Sequence, residues 1–500
     1  MKKKYRIILY TSIFLLCVVA SIILVVKKSN SVYEEESKPK VVKHKSMLSM
    51  NLEQTAGAGD YKTVTQSSWP TEGYKFNAEL SRCENGSTLS WDDTKKAVIM
   101  QGNVSDKCYV YFDIWIPSIA DYCTSGTDLA TCVKNFGDQG PSVSNIYIHN
   151  SSLTNGAGDN SYRYAGGDYV LTEAGKATGA TMMIGYNNSV TTALIDFYCN
   201  GTKQYVGYAS SCSTSHYYLI KGDTTQYQTY NEALNASVEK GYLTKDNVKN
   251  FVCFGSDATT CPTENLYRII GVFNNHVKLI KYDYAKSSLL GTDGDFSQEY
   301  TSNYFSGEQG ESPSSNSLYY WNNAGTNTWS ASKLNTVNLN TNFTTNIGTA
   351  WANKIATTTW KVGGGTYANL RDAVPKTAYQ YEVGSSASTT TYDAKIGLMY
   401  VSDYYYSASP SAWTLVGYNS DYTKSYASAK GENWLYGGGW DWTISRDSGG
   451  SGRAFGVGSS GRVDSGNVYS SNGVRPSFSL LSSTTYVSGS GSMSDPVRIN

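Results

Sequence analysis

Apolar and polar residues along this chain alternate in short runs more often than they recur at helical spacing. Alternation at period 2 marks a half-buried strand, because successive side chains point to opposite faces. Between residues 60 and 120, KAVIM, CYVYFDIWI and GYKFNAEL alternate or run apolar between polar turns such as CENGS and WDDTKK. They predict a small β domain over 56–120. Residues 121–261 are irregular, with one helix expected at about 230–240. Beyond 262, NLYRIIGVF and NHVKLIKYDYA predict two strands joined by a hairpin turn at Asn274 and Asn275. Leu334, Leu339, Phe343, Ile347 and Trp351, spaced by four and five, predict a helix over 329–351 with Ser330 or Ser332 as its cap. IGLMYVSDY (396–404) reads as a strand, and short strands follow in NWLYGG, WDWTISR, RAFGVGSSGRVD, NGVRPSFSL and PVRIN. In NGVRPSFSL, Val474, Pro476, Phe478 and Leu480 alternate with Arg475, Ser477 and Ser479, and Pro476 places the strand at an edge or at its own beginning. The pattern as a whole predicts an α+β, β-rich protein.

One segment breaks the pattern. Residues 7–26 are twenty consecutive uncharged, mostly apolar residues, long enough to span a bilayer, with MKKKYR before them and KKSN after. The cationic flank keeps the N-terminus in the cytoplasm, so a single-pass anchor over 1–28 would leave the body extracellular at the cell membrane. The alternative is a cleaved signal peptide ending near Ala20. Either way the chain is exported. Residues 29–55, charged and nearly free of aromatics, read as a flexible stalk.

Composition sharpens the class. With 42 Tyr, 11 Trp and 47 Gly against 16% charged residues, strands and polar loops are favoured. Residues 1–46 hold ten Lys/Arg against three Asp/Glu, so the zero formal charge hides a mildly acidic body. That argues against nucleic acid as a partner, since phosphate neutralisation needs clustered cations. One of nine cysteines, Cys17, lies in the apolar run. The other eight suggest neighbouring pairs, Cys83 with Cys108, Cys123 with Cys132, Cys199 with Cys212 and Cys253 with Cys261, as befits an exported chain. A zinc site is the rival, but no CxxC occurs and only four His are present.

The ordered set YRIIGV, LNxxxLNxxF, IGLMYVSDY, WTISR, RAFGVGSSGRV and GVRPSF over 262–500 resembles the surface-exposed C-type-lectin-like domains of gut Firmicutes and mollicute-like bacteria. These are related in fold to formylglycine-generating enzymes and to the variable proteins of diversity-generating retroelements. The resemblance implies a C-terminal C-type-lectin-like domain over 262–500, with short twisted strands and long loops displaying a ligand face. The related enzymes act through cysteines in this domain, and 262–500 contains none, so the chain is expected not to be an enzyme.

Candidate ligand residues follow. Trp434, Tyr436 and Trp440 lie close together among glycines, where flat rings stack on sugars and Gly permits close approach. Filling the core between short strands is the competing role, strongest for Trp442. Arg446, Arg453, Arg462 and Arg475 suit carboxylates such as sialic acid, although at least two are expected to pair with Asp441, Asp447 or Asp464. The run DSGNVYSSN adds Asn467, Tyr469 and Asn472 as adaptable contacts, or as an ordinary polar hairpin. TDGD (292–295) groups carboxylates as calcium sites do but lacks the terminal Glu, so no cofactor is assigned and calcium stays a minor alternative. The expectation is a bacterial cell-surface adhesin or recognition module for a glycan or protein ligand. A self-assembling envelope protein is the first alternative and an extracellular enzyme the second.

Overall fold

The computed structural model describes residues 48–500, apart from 56, 66–67, 71–72, 104, 186–188, 205–211, 213–214, 246 and 301–315. The expected anchor over 1–28 and most of the expected stalk lie outside these residues. Among the described residues no helix is long and apolar enough to cross a membrane. The described chain is β-rich, and all four expected disulfides are present: Cys83–Cys108, Cys123–Cys132, Cys199–Cys212 and Cys253–Cys261.

It divides into two units, the first ending at Ile116. In that unit the strand Leu48–Glu53 lies between Tyr61–Val64, antiparallel to it, and Cys108–Ile114, parallel to it. This corrects the stalk, which was expected to run to 55. Leu48, Met50 and Leu52 alternate and join Val110 and Phe112 in a small core ringed by Trp69, Phe76 and Trp91. Two of the polar positions of this strand, Asn51 and Glu53, are buried and used. Asn51 donates from Nδ2 to the Val110 carbonyl, and Glu53 accepts from the Ile114 amide at 2.9 Å.

The second unit, residues 117–500, is organised on a sheet of Ile396–Gly397, Ser477–Ser479, His276–Lys281, Leu266–Phe273, Tyr162–Tyr164 and Ile146–Ile148, with Phe251–Cys253 also paired to Leu266–Phe273. The sheet crosses the boundary expected at 261/262, because strands from the irregular region pair directly with the predicted hairpin. Asn274 and Asn275 both have positive φ, as a tight hairpin turn demands. Ser477–Ser479 is paired on both sides, so Pro476 starts an interior strand and does not mark an edge. A smaller sheet of Met182–Ile184, Ala193–Cys199, His216–Ile220 and Gln226–Tyr227 carries the helix Tyr230–Glu239. Thr229 and Glu232 cap that helix reciprocally, satisfying N–H groups that its first turn leaves open.

Three local expectations change. The four-and-five spacing of Leu334, Leu339 and Phe343 builds a ten-residue π-helix, Leu334–Phe343, in which a five-residue step returns to the same face. IGLMYVSDY holds only a two-residue strand, after which Val401–Tyr406 turns helical. Its first amides are claimed by a distant carboxylate, Glu382, which accepts from Val401 and Ser402 at 2.9 and 2.8 Å. NWLYGG forms no strand; its backbone is a loop between Lys430–Glu432 and the strand Asp441–Arg446.

Candidate functional site

The second unit has two principal apolar cores, one on the large sheet and one between the helix Tyr230–Glu239 and the smaller sheet. Where they meet is a cavity of about 480 Å³. One wall is the end of the hairpin: Arg268 and Ile280 face each other in register, Tyr267 faces Lys281, and the chain continues through Tyr282, Asp283 and Tyr284. The helix supplies Asn231, Leu234 and Asn235, and the loop 434–437 supplies Trp434, Tyr436 and Gly437. Phe251, Arg475, Asp168 and Lys245 complete the charged and aromatic lining.

The two arginines are fully engaged in building the walls. Arg268, only 1% exposed, donates to both Asp168 oxygens at 2.5 and 2.7 Å, to Asn250 Oδ1 at 2.6 Å and to the Val248 carbonyl at 2.9 Å. Its guanidinium also lies 4.2 Å from the Phe251 ring centre and 4.7 Å from that of Trp434. Arg475 donates from Nε to Asp441 Oδ2 at 2.6 Å and from Nη2 to the Leu435 carbonyl at 2.7 Å, tying the 434–437 loop down. Gly437 must be glycine for this packing, since a Cβ there would stand 2.6 Å from the Tyr284 hydroxyl.

Lys281 differs. It is 4% exposed, yet among the described residues its Nζ has no hydrogen-bond acceptor and no carboxylate within 4.0 Å. Burial pulls its amine down to about 8, opposed by the more distant charges of Asp283 and Glu264. Asp283 is pushed up by burial and accepts from the Tyr284 amide at 2.7 Å. Burial also drives the Tyr282 and Tyr284 hydroxyls well above their usual value, so both stay neutral hydrogen-bonding groups.

The residues singled out from the sequence do not gather on one exposed face. Trp434 and Tyr436 are each 3% exposed: Trp434 donates from Nε1 to the Tyr164 carbonyl at 2.9 Å, and the Tyr436 hydroxyl donates to the Ser459 carbonyl. They line the cavity from within and are not open stacking platforms, because each ring's polar atom is anchored in the fold. Trp440 is half-buried against Gly456 and Gly458. Arg462 lies 4.5 and 3.7 Å from the Tyr418 and Tyr422 ring centres and donates to the Asn419 carbonyl at 2.7 Å. Asn467 and Tyr469 are exposed, whereas Asn472 is buried and exchanges backbone hydrogen bonds with Tyr319. Of the four late arginines only Arg475 pairs with one of the expected aspartates; Arg446 reaches the Gly363 carbonyl and Arg453 reaches Ser465. Asp464 pairs instead with Arg371 at 3.4 Å. In TDGD, Asp295 accepts from the amides of Asn323 and Leu334 at 3.0 and 2.9 Å, and Asp293 accepts from Asn342. Asp295 thus serves as a backbone cap, while Asp293 holds a side-chain amide.

Arg268, Lys281 and Asp283 were not singled out from the sequence. Their signal was present as an Arg and a Lys embedded in the otherwise apolar strands YRIIGVF and HVKLIK. Cations in strands buried on both faces need a partner or a purpose.

No protein-family model matches the chain, and neither the curated proteins nor the solved structures include a match.

Proposed function

We propose that this chain is an exported, cell-surface ligand-binding protein that works without catalysis, and that the cavity lined by Arg268, Trp434 and Asn235 is where it holds its ligand. The observation that carries this reading is the cavity itself. It is about 480 Å³ and lies at the junction of two cores, with rigid aromatic walls and a few fixed polar groups, as small-molecule sites are generally built. Four disulfides support residence in an oxidising compartment, and the apolar run 7–26 supports an anchor. The likeness of residues 262–500 to C-type-lectin-like domains supports recognition of a ligand outside the cell. The exposed loop with Asn467 and Tyr469 is then a secondary contact surface at most.

The test is an array of host and bacterial glycans and short peptides, probed with the oxidised full-length chain in detergent. Asn235, exposed on the helix but part of the cavity lining, is replaced by Trp to fill the space without disturbing a buried contact. Binding by the parent that Asn235→Trp abolishes and Tyr469→Ala leaves intact is the expected result. Binding lost only in Tyr469→Ala would move the site to the loop, and no binding by a folded protein would sink the reading.

A further inference from the structure

The first unit is entered and left through neighbouring strands. The chain comes in along Leu48–Glu53 and goes out along Cys108–Ile114, and the two are parallel, in register from Leu48 beside Cys108 to Leu52 beside Phe112. The entry point lies at one end of this ladder, and the exit, just before the unit ends at Ile116, lies at the other. Tension on the chain therefore draws the two strands past each other along their own axes. Hydrogen bonds that run between the strands then resist together, whereas an antiparallel pair in the same place would open from one end, bond by bond.

Building on the anchored, ligand-holding reading above, we propose that this unit is a load-bearing link, a shear clamp that carries tension between the membrane anchor and the ligand-binding unit. The buried polar side chains of the entry strand reinforce the loaded ladder. Asn51 and Glu53 are 6% and 2% exposed, at depths where an apolar residue would avoid the desolvation. Asn51 Nδ2 donates across to the Val110 carbonyl at 3.3 Å, and Glu53 Oε2 accepts from the Ile114 amide at 2.9 Å, at the point where the chain leaves. Both side chains are held from behind as well: Glu53 Oε1 accepts from the Gly59 amide at 3.1 Å and Asn51 Oδ1 from the Thr63 hydroxyl at 2.7 Å. Val110 and Phe112 are fully buried and keep one face of the ladder dry, which strengthens each bond.

The disulfide is placed to match. Cys83–Cys108 ties the exit strand to Arg82–Cys83 level with Leu48 and leaves the entry strand unbridged. The clamp slips by breaking hydrogen bonds alone, and the loop that the disulfide closes cannot lengthen afterwards.

Single-molecule pulling on the oxidised full-length chain in detergent tests the assignment in two directions. Handles at Ser46 and Ile116 load the ladder in shear, and handles at Ser46 and Lys107 load it from one end, since Lys107 precedes Cys108. Ile116 and Lys107 are both exposed, so neither handle replaces a buried side chain. Rupture between 46 and 116 should need about two-fold more force than rupture between 46 and 107, because the whole ladder is loaded at once. Reducing Cys83–Cys108, whose sequence separation is 25, should add about 90 Å to the chain released, which marks the event as this unit's. Asn51→Val combined with Glu53→Met should bring the two forces closer together, with circular dichroism confirming the fold; the comparison of directions in the parent decides the matter if that variant does not fold. Equal force in both directions, or a ratio unchanged in the folded double variant, overturns the clamp and leaves the ligand-binding role untouched. Carbonate extraction of membranes from cells making the full chain checks the anchor on its own: release of the protein into the soluble fraction would overturn the load-bearing role even where the two forces differ.

Discussion

The strand His276–Lys281 carries two buried lysines three residues apart, and an odd separation sends their side chains to opposite faces. Lys278, 7% exposed, meets Asp403 at 2.5 Å among the rings of Phe273, Trp360 and Tyr400. Lys281, 4% exposed, lies with its Nζ 5.8 Å from the Tyr267 ring centre and meets no carboxylate within 4.0 Å among the described residues. Strand, residue type and depth are the same, so the difference lies in what each face was built to contain. On one side a charge is part of the scaffold. On the other it lies over a ring without a carboxylate in contact, and the fold bears its desolvation.

The comparison breaks most visibly on the Lys278 side. Replacing Asp403 by Ala removes the carboxylate shared by Lys278, the Tyr400 amide and, at 4.0 Å, Arg163. Buried Lys278 would be left without its carboxylate while Arg163 keeps Asp159 at 2.7 Å, and the expected loss is about 4 kcal/mol in urea unfolding. Arg268→Met should cost about 3 kcal/mol by the same measurement, since Asp168, Asn250 and the Val248 carbonyl all lose their donor.

Lys281→Met should act in the opposite direction. The amine titrates at 10.5 when unfolded and at about 8 when folded, so between those values the unfolded chain binds more protons and stability rises with pH. The penalty is therefore complete at pH 7. Removing the charge should stabilise the protein by about 2 kcal/mol at pH 7 and by much less at pH 10.5. Thermal melts at both pH values check this; a destabilised variant at pH 7 would mean Lys281 is structural like its neighbour. The smallest effect is expected at the exposed loop, where Tyr469→Ala should change stability by less than about 0.5 kcal/mol.

These contrasts also explain what was legible in the sequence. Features fixed by neighbours in the chain were visible: the four disulfides in sequence order, the turn at Asn274 and Asn275, and the helix begun by Thr229 and Glu232. Features fixed by distant partners were not. At the start of Val401–Tyr406 the Glu382 carboxylate meets the first amides from a distance, and the only local part of that cap within IGLMYVSDY is Asp403 accepting from the Tyr400 amide at 2.9 Å. Trp434 and Tyr436 were recognisable as ring-bearing candidates, but their burial depends on Tyr164 and Ser459, residues far from them in sequence or on another turn. Lys281 was hidden for the opposite reason: its character comes from a partner that is missing from the fold, and an absence leaves no mark on a sequence.

The edge of the large sheet carries one more implication. Phe251 donates to the Gly491 carbonyl at 2.8 Å, Cys253 donates to that of Val497 at 3.0 Å, and Val497 donates back to Phe251. The strand Phe251–Cys253 therefore waits for a segment that leaves the ribosome long after it, and Met493 and Ser494 from that segment close one side of the cavity. Assembly of this unit cannot proceed vectorially as the chain emerges. Until residues 491–497 have been made, the strand Phe251–Cys253 lacks its backbone partners on that side and the cavity lacks the wall that Met493 and Ser494 supply, so this part of the unit closes last.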